Sequence, residues 1–430
     1  MSVFSRGTAS RSRMRTVIGG IAVAGVSALV LAGCSGGGGD TAEPSESAAP
    51  VEDLTLTIGT ALPQTGNLAF LGPPEEAGVA YATSLVNEAS ADTGLTLDVV
   101  YGDSGDTDNK AYETEIPRLL GEGVSAIIGA ASSGTSLQFI DQVVGAGVIQ
   151  FSPANTSDAF TTYEDNGLYF RTAPSDVLQG EVLGNLIAED GNQTLGMIVL
   201  NDSYGTGLAK YVTEAFEAAG GEVVAAPTYN TGDTSFDAQI SEVLAADPDA
   251  IALITFEEIA TILPSLFGSF PADKLYFVDG NLSNFGDQFP AGSLTGAKGT
   301  LPGLSIDTLG DFTSELDAFL EAEGTAPLEE YSYAAESFDA VILLALASLA
   351  AGSTDSAAIA EKLQEVSGGS GDGEKCTTFA ECAAIITGGG VADYDGISGP
   401  ITFDEVGDPT EASIGIYQYG EDNTYTAYEG

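Results

Sequence analysis

The stretch Ser132-Ser133-Gly134-Thr135-Ser136, then a helical run, then Val148-Ile149-Gln150-Phe151-Ser152-Pro153-Ala154-Asn155-Thr156, decides how this chain is read. Just before it, Ala126-Ile127-Ile128 is short, β-branched and ended by Gly129, as a buried parallel strand should be. The small hydroxyl residues therefore fall where a strand hands over to a helix. A helix N-terminus offers unpaired amide groups and the positive end of a dipole, and Ser or Thr adds donors without bulk. Such a place can seat a carboxylate. One strand later, Ser152 to Thr156 leaves the sheet at the same edge, where ligands of open α/β sheets bind. Clusters of Ser, Gly and Thr are also ordinary caps and loops, and that alternative stays open here.

Outward from this stretch, strands and helices alternate. Leu54, Leu56 and Ile58 alternate with Thr55 and Thr57, the period of a strand. A helix is expected from Pro74 to Ser90, a strand from Leu95 to Val100, and a helix capped by Thr107 or Asp108 and running to Leu120. After Phe170-Arg171-Thr172-Ala173-Pro174 the pattern begins again, with helices near 176–188, 204–219, 236–246 and 257–267 between strands near 195–200, 222–226, 250–255 and 275–278. Alternation of this kind means βαβ units and parallel sheets, here two of them. Past Thr300 come a helix at 311–322 and an apolar core helix at 337–351, too short for a membrane. Two short strands, Ile401–Phe403 and Ile414–Tyr417, flank the turn Gly407-Asp408-Pro409.

The first residues carry Arg6, Arg11, Arg13 and Arg15, then an uncharged apolar run from Val17 to Leu31, then Leu31-Ala32-Gly33-Cys34. That order describes an export signal over 1–33, with an apolar run too short to span a bilayer. Leu-Ala-Gly-Cys matches the bacterial lipobox, so cleavage before Cys34 and lipidation of that residue are expected, with 34–53 as a flexible linker. Removing the signal takes four basic residues and no acidic one, which moves the formal charge from −51 to −55. Such a surface repels nucleic acid and anionic headgroups. Cys376 and Cys382 are expected to pair as a local clip in an oxidising compartment, with a free thiol or a metal role as alternatives. With no histidine in the chain, Ser-His and Cys-His nucleophiles and the usual zinc sites are excluded.

The element order, together with Leu62-Pro63-Gln64-Thr65-Gly66, Ser152-Pro153-Ala154-Asn155-Thr156, Tyr169-Phe170-Arg171-Thr172, Asn201-Asp202-Ser203-Tyr204-Gly205, Val278-Asp279-Gly280 and Tyr394-Asp395-Gly396, resembles the leucine/isoleucine/valine-binding group of type I periplasmic binding proteins. These are the extracytoplasmic receptors of ATP-driven (ABC) importers. The resemblance implies an α/β fold of two lobes, each a mostly parallel sheet flanked by helices, joined by three crossovers. It places 54–173 plus 301–395 in lobe 1 and 174–300 plus 396–430 in lobe 2. It implies ligand-binding roles for Ser133, Ala154 and Thr156 on the first lobe and for Tyr204, Phe256 and Asp279 on the second. Hydroxyl and backbone groups would take an α-carboxylate, and Asp279 an ammonium. The alternatives are a packing aromatic for Tyr204, a turn residue for Asp279, and a helix cap for Glu257, beside Phe256. Phe70 and Leu71 fall where the family has an apolar wall.

The expectation is a monomeric, lipid-anchored receptor on the outer face of a bacterial membrane, without cofactor or metal, that captures a small amino acid, with a branched-chain one as the best fit, and docks on a permease. An amide, a small carboxylate or a sensory role fits the same fold. A hydrolase would need an unusual Ser-Lys pair, and acidic pairs arise here by composition alone. Asp103, Asp106 and Asp108 lack the order of a calcium loop and read as solvated.

Overall fold

The computed structural model describes residues 53–428. The expected export signal, Cys34 and the linker up to Glu52 lie outside the described residues. Strand β1 (Leu54–Ala61) opens the first lobe, followed by α1 (Gly72–Glu88), a one-turn α2 (Ser90–Thr93), β2 (Leu95–Val100), α3 (Tyr112–Gly121), β3 (Ala126–Gly129), α4 (Ser133–Gly145), β4 (Ile149–Ser152) and β5 (Tyr169–Arg171). The sheet runs β2-β1-β3-β4-β5, with every neighbour parallel. β3 and β4 are buried at each residue because helices cover both faces, which is why their sequences are apolar rather than alternating.

The second lobe repeats the scheme with α5 (Asp176–Glu189), β6 (Thr194–Leu200), α6 (Ser203–Ala218), β7 (Glu222–Ala225), β8 (Thr228–Tyr229), α7 (Asp237–Ala245), β9 (Ala250–Ile254), α8 (Ile259–Leu266), β10 (Leu275–Phe277) and β11 (Lys298–Pro302). The chain then returns to the first lobe as α9 (Gly310–Ala322), α10 (Ala334–Ala351), α11 (Ser356–Gln364), β12 (Glu374–Cys376), α12 (Phe379–Thr387), β13 (Ala392–Gly396) and β14 (Gly399–Pro400). Strands β15 (Ile414–Tyr419) and β16 (Tyr425–Ala427) complete the second sheet, ordered β16-β15-β11-β10-β9-β6-β7 with β8 also on β6. β15 is antiparallel to β11.

Strand order reverses between β1 and β3 in one sheet and between β6 and β9 in the other. Loops leaving the carboxyl ends of neighbouring strands diverge there, and a crevice opens between them.

The chain passes between the lobes three times, after Arg171, after Pro302 and between Phe403 and Ile414. Two expected boundaries shift. Leu301 packs in the second core as part of β11, so the return to the first lobe comes after it. Ile401 and Phe403 belong to the first core, where Phe403 meets Phe151 and Phe170 at ring separations of 5.9 and 5.5 Å, so that lobe extends beyond 395. Ile401–Phe403 is not a strand, since its only ladder contact is the Phe403–Pro409 bridge. α3 begins at Tyr112 and not after Thr107 or Asp108, because Asp106 Oδ1 accepts the amides of Asp108 and Asn109 and folds that segment as a turn.

α10 is 18 residues long and mostly apolar, and 83% of it is buried in the first lobe. Cys376 and Cys382 are paired, with Cα atoms 5.4 Å apart.

Candidate functional site

Two loops of the first lobe are knit into one ledge. Ser152 Oγ donates to the Ala130 carbonyl at 2.7 Å and accepts the amides of Ala154 and Asn155. Asn155 Nδ2 donates to the carbonyls of Ala130 and Ala131 at 3.0 and 2.8 Å, and Tyr169 holds its Oδ1. Ser132 caps α4 by accepting the Thr135 amide. Ser133 Oγ accepts the amides of Thr156 and Ser157, both at 3.3 Å. The amides of Ser133 and Gly134, first in α4, have no acceptor among the described residues. They are donors at the positive end of a helix. Thr156, 1% exposed, stands against Asp176, whose amide donates to its carbonyl at 2.6 Å and whose buried carboxyl its hydroxyl meets.

Across the cleft, Asp279 follows β10 and is 5% exposed. Tyr204 OH donates to its Oδ1 at 2.6 Å, Gln179 Nε2 to the same oxygen at 2.9 Å, and Tyr333 OH to Oδ2 at 2.8 Å. Burial raises the Asp279 pKa, and these three donors oppose the rise. Tyr204 stacks on Phe256, with ring centroids 5.2 Å apart and planes 18° apart. The cleft is walled by Leu68, Leu71, Ala131, Ala154 and Phe256, with Ser133, Tyr204, Tyr333 and Asp279 supplying polar groups. No Lys or Arg lines it. Arg171, a fully buried cation of the first lobe, is committed to Asp408 through Nε–Oδ1 at 2.6 Å and Nη2–Oδ2 at 2.8 Å.

Of the residues expected from sequence, Ser133, Ala154, Tyr204, Phe256 and Asp279 border one cleft, and Thr156 lies on the same ledge behind Ser133. Leu71 lines the cleft, but Phe70 lies in a neighbouring groove with Pro73 and Glu330. Glu257 does not cap α8; its amide donates to Asn67 O across the lobes. Asp103 and Asp106 are not free surface acids, because they accept the amides of Gln64, Thr65 and Asn67 and bind the 62–67 loop to the 103–109 loop.

Three residues escaped sequence reasoning. Gln179 and Asp176 sit three apart on α5, and polar residues on an apolar helix face are a readable signal. Asp176 is fully buried, and burial, then the Asp279 charge, pushes its pKa well up against an opposing hydrogen bond from the Thr156 side chain. Tyr333 gives no such signal. It precedes α10 in a left-handed conformation, φ 60°, which turns a first-lobe side chain into the second-lobe core.

A family profile described as "Periplasmic binding protein" matches residues 55–381. The chain belongs to the periplasmic binding protein family. This periplasmic binding protein is 31% identical over 191 residues to the leucine-, isoleucine-, valine-, threonine- and alanine-binding protein of Pseudomonas aeruginosa, a match covering 44% of the chain and 50% of that relative. It thus spans half the length of that relative. It is 25% identical over 355 residues to the chemotactic substrate-binding protein BasB of Halobacterium salinarum, across 80% of the chain and 83% of BasB. Among solved structures, the leucine-binding protein LivK of Thermotoga maritima superposes with a TM-score of 0.70 at 22% identity, over 87% of the chain and 98% of LivK. The fold is therefore the two-lobed type I binding-protein fold.

Proposed function

We propose that this protein is a lipid-anchored extracytoplasmic receptor that captures a small neutral amino acid, branched-chain by preference, and delivers it to an ABC permease. One observation carries the ligand class. Free helix amides on one lobe face an acid held by three uncharged donors on the other, and the walls between them are apolar. A zwitterion complements that pattern: its carboxylate takes the amides of Ser133 and Gly134, and its ammonium gives Asp279 the positive charge that no Lys or Arg of the lining provides. Leu68, Leu71 and Phe256 suit an aliphatic side chain, as do the names of the Pseudomonas and Thermotoga proteins. Gripping both ends of the ligand from different lobes makes binding and lobe closure one event.

The test is thermal unfolding of the signal-less protein at fixed salt against the twenty amino acids and a set of small amides and carboxylates. A ligand at about 100 times its Kd that binds only the folded state adds about 2.7 kcal/mol, a clear rise in midpoint. A rise with leucine, isoleucine or valine is expected; rises confined to amides or carboxylates would replace the ligand. The similarity to a chemotactic protein favours a second reading, in which the same closed form is presented to a membrane sensor. Uptake of labelled leucine that persists in a strain lacking the receptor, while chemotaxis is lost, would select the sensor.

A further inference from the structure

The loop 62–71 after β1 and the loop 255–258 after β9 meet across the cleft. Asn67, 7% exposed, donates from Nδ2 to Glu258 Oε1 at 3.2 Å, and its carbonyl accepts the Glu257 amide at 3.2 Å. A carboxylate can only accept, so the Asn67 side chain has one orientation here. Both ends of this contact are held from behind. The Asn67 backbone N–H donates to Asp106 Oδ2 at 3.0 Å, and Glu258 Oε2 accepts Tyr229 OH and the Phe256 amide, each at 3.1 Å. Leu68, next to Asn67, and Phe256, two residues before Glu258, are walls of the cleft, whereas Asn67 and Glu258 are not part of its lining.

Sheet order determines what this contact does. The crossovers lie beside β5 in the first sheet and beside β11 and β15 in the second. β3 and β4 separate β1 from β5, and β10 separates β9 from β11. At ordinary strand spacing β1 is about 14 Å from β5, so the contact stands well away from the hinge. Asp106, which holds Asn67, follows β2, the strand at the opposite edge of the first sheet from β5. Hinged opening moves such distant groups farthest, and a 3.2 Å bond between them does not survive it.

We propose that Asn67 and Glu258 latch the closed receptor, as positioning residues that do not touch ligand yet set how slowly it leaves. The inference rests on the proposed capture of ligand between the lobes. Two effects compete. A hydrogen bond to an ionised acceptor is stronger than one between neutral groups, but opening returns both partners to water and offsets most of that gain. Asn67 is buried and Glu258 half-buried, so a net worth of about tenfold in the closing equilibrium remains. Because the latch adjoins Leu68 and Phe256, keeping it closed keeps both walls against the ligand, and its effect falls on dissociation.

Leucine affinity is measured by calorimetry, and its dissociation rate by stopped flow, for wild type, Asn67→Asp, and Asn67→Asp combined with Glu258→Gln. Asn67→Asp sets two carboxylates against each other and should bind about tenfold more weakly, most of the change lying in faster dissociation. In the double variant the donor and acceptor exchange sides, and the new amide oxygen still accepts Tyr229 OH and the Phe256 amide. It should return to within about threefold of wild type. A merely structural role of Asn67 in its own lobe, or repulsion from Asp106, would not be repaired by a change on the other lobe. An unrepaired double variant, or an Asn67→Asp protein with wild-type affinity and dissociation, would overturn the proposal. If wild type binds no leucine, the leucine assignment falls and the latch is read without ligand. Small-angle scattering should then give Asn67→Asp a larger radius of gyration than wild type and the double variant a return towards it; equal radii would overturn the proposal.

Discussion

Ser133 and Thr156 were expected to share one job, and their surroundings separate them. Ser133 Oγ accepts two backbone amides, so Ser133→Ala leaves donors unpaired and costs stability, about 1–3 kcal/mol, besides any effect on ligand. Thr156 Oγ1 accepts no backbone amide, and its one neighbour is the buried carboxyl of Asp176. Thr156→Val is therefore the cleaner probe. It should cost stability no more than one hydrogen bond, about 0.5–1.5 kcal/mol in urea, and weaken leucine binding about 3- to 10-fold. Equal affinity in Thr156→Val and wild type would remove Thr156 from the site. The pairing of Tyr204 with Asp279 was legible only as two separate candidates. A sequence shows that each follows a strand, but their 2.6 Å bond depends on the two strands lying in one sheet.

At the scale of elements, the parallel strands were the most readable part. Ala126–Gly129 and Ile149–Ser152 are short, wholly buried and bounded by loop residues, and their length and flanking glycines mark them as strands rather than buried helix. The α3 start was misplaced because side chains such as Asp106 and Asn109 bond nearby amides equally well in turns and at helix caps. Crossovers were legible in number but not in anchoring. Arg171 closes the first crossover onto the third by pairing with Asp408, while its Nη1 donates to the carbonyls of Asn155 and Ser157, in the loop that carries Thr156. Asp408→Asn leaves a fully buried guanidinium without its counter-ion. It should lower the unfolding free energy by about 3–5 kcal/mol in urea titrations, and an unchanged midpoint would show that the pair is dispensable.

For the whole molecule, the acidity and the expected lipid act together. A body with a formal charge near −55 is repelled by anionic headgroups, so charge cannot hold it at a membrane and the acyl chains on Cys34 would have to. Cys34→Ser should move the protein from the membrane fraction into the medium, followed by fractionation and blotting. Retention on membranes would refute the lipobox assignment. The two-lobed architecture was visible in the order of elements, whereas the lobe boundaries were not, because β11 and Ile401–Phe403 sit where the chain changes partners and composition does not. β15 and β16 have a further consequence. β15 pairs onto β11, more than a hundred residues earlier, and β16 onto β15, so that they cover the edge β11 would otherwise leave open. A chain threading outward N-terminus first cannot finish that sheet until residue 427 has emerged, so the nascent body waits at the cell surface with an open strand edge, a natural point for an extracytoplasmic chaperone to act.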